Sequence, residues 1–107
     1  MTYQLGVDLG TTFSAAAIAE AGRIDIVPLG SQAPVIPSAV ALRSDGAVLI
    51  GEAAERRAIT EPTRVAREFK RRLGDPIPIV VGGTPYGAEA LMAHLLRGIV
   101  ADIADQR

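Results

Sequence analysis

The 107-residue sequence contains no cysteine and no tryptophan, a single histidine, His94, and a single lysine, Lys70. Without thiols there is no disulfide framework, no thiolate nucleophile and no cysteine-based zinc site, and one histidine cannot build a histidine metal cluster. Aromatic side chains are limited to Tyr3, Phe13, Phe69 and Tyr86, so any core must be assembled from Val, Ile, Leu and many Ala. Neither sign of charge prevails. Eleven basic and twelve acidic residues leave a formal charge of -1, so no global field would hold the chain on nucleic acid or an anionic membrane, and partners must be recognised locally. Long apolar runs are missing as well: stretches such as Ala15 to Ala19 fall far short of the roughly 18 residues needed to cross a bilayer. The opening stretch from Met1 to Asp8 has neither the basic flank nor the sustained apolar segment of a signal peptide, which predicts a cytoplasmic location.

What is present is globular in character, with 49% hydrophobic and 21% charged residues in a length suited to one small domain or to part of a larger one. The apolar runs Tyr3 to Leu9, Phe13 to Ala19 and Ile24 to Leu29, the last two separated by Ala21-Gly22-Arg23, predict a three-stranded antiparallel meander. The character changes near Pro34 and Pro37. Beyond them, Ala39 to Leu42 and Ala47 to Ile50 flank Ser44-Asp45-Gly46 and predict a hairpin. A helix is expected over Glu52 to Ile59, ending before Glu61-Pro62 because proline restricts the residue ahead of it.

A second helix is expected over Thr63 to Leu73, with Val65, Ala66, Phe69 and Leu73 on one side and Gly74 as its stop. Ile77 to Val81 predicts a short strand, and Gly82 to Gly87 a turn that leads into the last helix. In that helix Ala88, Leu91, Met92, Leu95, Leu96, Ile99, Val100 and Ile103 recur at steps of three and four. Its broad apolar stripe, the apolar first strand and the Ala-rich second strand together need more partner surface than these elements supply. The expectation is therefore the N-terminal part of a longer protein, with an exposed apolar patch that could drive self-association.

The chemistry concentrates in Leu5-Gly6-Val7-Asp8-Leu9-Gly10-Thr11-Thr12-Phe13-Ser14. A strand delivers Asp8 to its end, Gly10 permits a sharp bend, and two threonines present hydroxyls and amides before the next strand begins. Successive N–H groups in such a bend can form a concavity for phosphate oxygens, with Asp8 facing a phosphate-borne Mg²⁺ through water. An ordinary β-turn in which Asp8 and Gly10 serve only geometry fits the same spacing. The segment is neither a P-loop nor a Gly-x-Gly-x-x-Gly fingerprint, and Gly82 to Gly87 fails that fingerprint too.

Gly6-Val7-Asp8-Leu9-Gly10-Thr11-Thr12-Phe13-Ser14 resembles the first phosphate-binding signature of the seventy-kilodalton heat-shock chaperones, the DnaK-like proteins. Ile36-Pro37-Ser38-Ala39-Val40-Ala41 is similar to the family's Thr-Pro-Ser segment, and Val48 to Ala54 to its Gly-x-x-Ala stretch. Phe69-Lys70-Arg71-Arg72-Leu73-Gly74 is similar to its Lys-Arg-x-x-Gly stretch, and Tyr86 to Leu91 to the start of the helix that follows. All occur in the family's order.

The resemblance implies an α/β fold: the N-terminal part of an actin-like, ribonuclease H-like ATPase lobe, with an antiparallel meander over 1–37 at the lobe base and a small α+β subdomain over 38–107 at its tip. It further implies ATP or ADP with Mg²⁺ as ligands. Gly10, Thr11, Thr12 and Phe13 would wrap the phosphates, Asp8 would lie near the metal through water, and Lys70 would reach the γ-phosphate. A compact ammonium serves as a point charge in a way a planar guanidinium does not. Phe13 departs from the Asn or Tyr common in the family but keeps its backbone amide. Unfolded client peptides and co-chaperones are the implied partners of the whole protein. The second phosphate loop, the adenosine pocket and the peptide-binding domain are not in this sequence, so the segment alone is expected to have no ATPase activity. A sugar-kinase-type phosphotransferase of the same fold and a non-catalytic adaptor are the alternatives.

Two further features carry less. Arg64, Arg67, Lys70, Arg71 and Arg72 lie among glutamates with Phe69 as the only aromatic, which suits a solvated charged face better than a nucleic-acid surface. His94 has no second ligand type clustered near it and reads as a helix-surface or boundary residue.

Overall fold

The computed structural model describes residues 3–31 and 33–106; Met1 and Thr2, at the head of the opening stretch that lacks signal-peptide character, lie outside them. The expected meander forms from β1 (Gln4–Leu9), β2 (Phe13–Glu20) and β3 (Arg23–Val27). Antiparallel registers pair Asp8 with Ala15 and Leu9 with Ser14 across the first junction, and Ala16 with Val27 across the second. A two-residue strand, β4 (Ile36–Pro37), joins β2 at its start, where Ser14 faces Ile36.

Alternation divides the residues of this sheet between two faces. Leu5, Val7, Ala16, Ile18 and Val27 face the core. Ala15, Ala17 and Ala19 share the other face with Ile24 and Ile26, which are 77% and 62% exposed. An apolar sheet face therefore remains open to solvent.

The second sheet has the order β6 (Val48–Ile50), β5 (Ala39–Leu42), β7 (Val65–Arg67). All four residues of β5 are buried because a helix covers each face. Ala39 and Ala41 meet Ala54 of α1 (Gly51–Thr60), where small side chains allow close approach. Val40 and Leu42 point instead into the main core with Leu91, Leu95 and Ile99 of α2 (Ala88–Gln106). Of the apolar stripe expected for α2, Ala88, Leu91, Leu95, Ile99 and Ile103 are buried, whereas Leu96 and Val100 are exposed. At about 1.5 Å per residue its 19 residues reach roughly 28 Å, enough to touch β1 of the first sheet and β5 and β6 of the second. One core thus joins residues from both sides of Pro37.

The helix expected over Thr63 to Leu73 does not form. Pro62–Arg64 is a 3-10 turn, Val65–Arg67 is β7, and Phe69–Arg72 is a second 3-10 turn. The free edge of β5 captures the segment, with Val40 opposite Ala66 and Ala41 opposite Val65. Glu68 then adopts a left-handed conformation, φ 53°, which no helix interior accommodates. Apolar residues at 65, 66 and 69 mimic helical spacing while serving two short elements.

Gly82 to Gly87 also holds more than a turn. Gly82 and Gly83, at φ 60° and 83°, make the two-residue bend of a hairpin between β8 (Ile79–Val81) and β9 (Thr84–Tyr86). Pro85 obscured β9 in the sequence, but a two-stranded sheet has only edges, where proline is tolerated.

Leu95 is fully buried, so Leu95→Ala is expected to destabilise the fold by about 2–5 kcal/mol, whereas Ile59→Ala, at a position 83% exposed, should stay within about 0.5 kcal/mol. Urea-unfolding midpoints of the two variants measure the contrast.

Candidate functional site

The bend between β1 and β2 consists of Gly10, Thr11 and Thr12. A side chain at position 10 would run into the carbonyl oxygen of Phe13, so the bend closes this tightly only with glycine. Ser38, just past β4, secures it from the other side. Its backbone N–H donates to the Thr12 carbonyl at 2.8 Å, and its hydroxyl donates to the Gly10 carbonyl at 2.7 Å. Ser14 Oγ lies 2.7 Å from Ser38 Oγ. Each hydroxyl has one proton, and that of Ser38 is committed to Gly10, so Ser14 donates to Ser38.

Ser14 and Ser38 are 1% and 4% exposed, and no described buried side-chain polar atom lacks a partner. A planar trans peptide places each N–H opposite the preceding carbonyl. With the carbonyls of Gly10 and Thr12 turned to Ser38, the amides of Thr11 and Phe13 point away from it. Oriented amides in a tight bend are the donor set that suits an anion.

Thr11, Thr12 and Phe13 line a cleft of about 440 Å³ together with Pro37 and Ser38; its other wall is Glu55 of α1, Arg67 of β7 and Glu68. Glu55 and Arg67 join in a two-pronged ion pair, Nε to Oε1 at 2.7 Å and Nη2 to Oε2 at 2.6 Å. The hydrogen bonds from Arg67 hold the Glu55 carboxyl below its ordinary pKa against the opposing effect of burial, and the Arg67 guanidinium is correspondingly raised.

Of the residues the sequence singled out, the structure therefore gathers Thr11, Thr12 and Phe13 at one cleft, over the bend that Gly10 permits. Asp8 is exposed at the end of β1, and Lys70 is exposed on the 3-10 turn after Glu68; neither is part of the cleft lining. Among the described residues no group of three or more His, Asp or Glu could hold a metal ion; the exposed Asp8 carboxylate is a donor of the kind a hydrated Mg²⁺ takes through water.

The neighbouring cations are matched by acids: Arg64 by Glu61, Arg71 by Glu68 and Arg72 by Asp75. His94 sits on α2 with Nδ1 3.2 Å from Arg97 Nη2, and burial, helped by that guanidinium, lowers its pKa. Among the described residues no helix is long and apolar enough to cross a membrane.

Sequence reasoning missed the clasp and the far wall. Ser38 was visible only as part of a Pro-Ser segment, and nothing in the spacing of Glu55 and Arg67 signals that α1 and β7 bring them together.

The chain is thus a mixed α/β protein in which an antiparallel meander presents a serine-clasped, amide-bearing bend at a cleft. It belongs to the family described as Hsp70 protein, whose model matches residues 4–79. It is 38% identical over 104 residues to the chaperone protein DnaK of Endomicrobium trichonymphae, an alignment that covers 92% of this chain and 16% of that protein. It is 36% identical over 106 residues to DnaK of Cenarchaeum symbiosum (strain A), covering 95% of this chain and 16% of the relative. For DnaK of Elusimicrobium minutum (strain Pei191) the identity is 36% over 102 residues, covering 92% and 16%. The chain therefore spans about 16% of the length of these relatives. Membership implies an actin-like ATPase fold, with which the antiparallel sheets and two helices are consistent.

Two outcomes follow for stability. Ser38→Ala orphans the Gly10 carbonyl and the Ser14 hydroxyl and should cost about 1–3 kcal/mol in chemical unfolding. Because the folded-state pKa of Glu55 is depressed, its contribution is present above the unfolded-state value and lost as pH falls through the folded one. Between pH 6 and 3 the parent protein should lose up to about 1 kcal/mol more stability than Glu55→Gln, a small difference because the pair is half exposed.

Proposed function

We propose that the gene product is an Hsp70-type molecular chaperone in which this segment supplies the first phosphate-binding loop of an ATPase. Residues 1–37 serve as the start of the lobe base and 38–107 as its tip subdomain. The observation that carries this reading is the Ser38 clasp, which turns two carbonyls of the Gly10–Thr12 bend inward at the edge of a cleft lined by Thr11, Thr12 and Phe13.

On this reading the amides of Thr11 and Phe13 and the threonine hydroxyls hold phosphate oxygens, and Gly10 keeps the bend narrow. Lys70, exposed on the 3-10 turn after Glu68, supplies an ammonium for the terminal phosphate. Asp8 would hold Mg²⁺ through a water, and the ion would supply charge neutralisation for the phosphates. These groups act by position and electrostatics, as phosphoryl transfer requires, and leave the attacking water to residues elsewhere in the protein.

The nucleotide state would then govern binding and release of client peptides, assisted by co-chaperones, in the cytoplasm. The DnaK relatives favour this reading over a sugar kinase.

Titration of the full-length gene product with Mg-ATP should give saturable binding that Gly10→Val weakens by about tenfold or more, the worth of one or two charge-assisted hydrogen bonds. Lys70→Ala should retain binding and slow hydrolysis by about 10²-fold. The 107-residue segment by itself should release no phosphate. Absence of ATP binding by the full-length product at millimolar nucleotide would overturn the reading.

A further inference from the structure

The cation that lines the cleft is Arg67, not Lys70. It stands across from Thr11, Thr12 and Phe13, on a strand registered against β5, so its backbone position is set by the sheet: Arg67 lies opposite Ala39, next to the buried Ser38 of the clasp. Its guanidinium presents a planar fork, and the fork is already engaged by two parallel oxygens, those of Glu55. A phosphate offers a comparable pair of oxygens with more charge.

The Glu55–Arg67 pair is also the kind that exchanges readily. The two side chains are 35% and 50% exposed, so water screens their attraction and the pair adds little to stability. Glu68, the remaining charged residue of the lining, has its carboxylate 3.9 Å from Arg71 Nε, which offsets part of its repulsion toward an anion.

We propose that Arg67 is a second phosphate-binding cation of this site and that Glu55 competes with the nucleotide for it. The inference rests on the phosphate-loop reading above. In the nucleotide-free protein the carboxylate holds the fork beside the cleft. A polyphosphate on the Thr11–Phe13 loop takes over the two N–H donors, and Glu55 turns to solvent. No covalent bond changes. Glu55 acts as a threshold: a singly charged anion does not outbid the carboxylate, whereas a di- or triphosphate does.

Affinities of ATP, ADP and adenosine, measured by calorimetry on the full-length gene product, test this through two substitutions with opposite expected signs. Arg67→Ala should weaken ATP and ADP by about tenfold, the worth of one charge-assisted hydrogen-bond pair, and leave adenosine unchanged. Glu55→Gln, a near-isostere that keeps a hydrogen-bond acceptor for Arg67, should tighten ATP severalfold. Arg67→Lys should fall between parent and Arg67→Ala, because it keeps the charge and loses the fork.

A brace that merely ties α1 to β7 predicts the contrary: Glu55→Gln and Arg67→Ala would weaken all three ligands alike, and that result overturns the proposal. A silent Arg67→Ala in a protein whose ATP binding still depends on Gly10 overturns it as well, while leaving the phosphate-loop reading intact. If ATP does not bind the parent protein, or binds without regard to Gly10, the underlying reading fails first. Thermal unfolding of each variant confirms that the affinities refer to folded protein.

Discussion

Ser38 gives its amide proton to Thr12 and its hydroxyl proton to Gly10, and the geometry of the bend between β1 and β2 depends on that double grip. A three-residue turn between β-strands has many conformations available, and most of them scatter its amides. Fixing two carbonyls from one residue removes most of that freedom, since each peptide plane is rigid and carries its N–H to the opposite side. Ser14 closes the network from within β2, with both serine side chains buried and bonded to one another.

That grip requires the two sheets to be held in register. Ser38 follows β4, which pairs with the start of β2, and directly precedes β5, the most buried strand of the second sheet. Any slip between the sheets would pull Ser38 from the bend. Two helices oppose such a slip: α1 lies on the alanine face of β5 and reaches β4, and α2 runs across both sheets on the other side. The Glu55–Arg67 pair adds a polar tie between α1 and β7 at the same cleft. The scaffold is well packed where the bend is held and charged where the cleft opens.

The division between legible and illegible features follows the range of the interactions involved. The meander, the Asp-Gly hairpin, α1 and α2 were readable because turn residues and apolar periodicity act over a few residues. The segment from Thr63 to Leu73 was misread because its apolar spacing satisfies helix and strand alike, and the unpaired edge of β5, more than 20 residues earlier in the chain, decides between them. Likewise β9 carries a proline that argues against a strand until its partner β8 shows that it lies at an edge.

The site divides the same way. Gly10, Thr11, Thr12 and Phe13 announced themselves by chemistry and by resemblance, and the order of the motifs pointed to the Hsp70 family, because strand, bend and donor residues are contiguous in the chain. What the amino-acid order could not convey is that Ser38 reaches back 28 residues to hold Gly10, or that Glu55 and Arg67, 12 apart, form the opposite wall of the cleft. Those pairings exist only after two sheets and a helix have packed. Local composition therefore determined where the tight bend forms, and tertiary packing alone decided which side chains face it across the cleft.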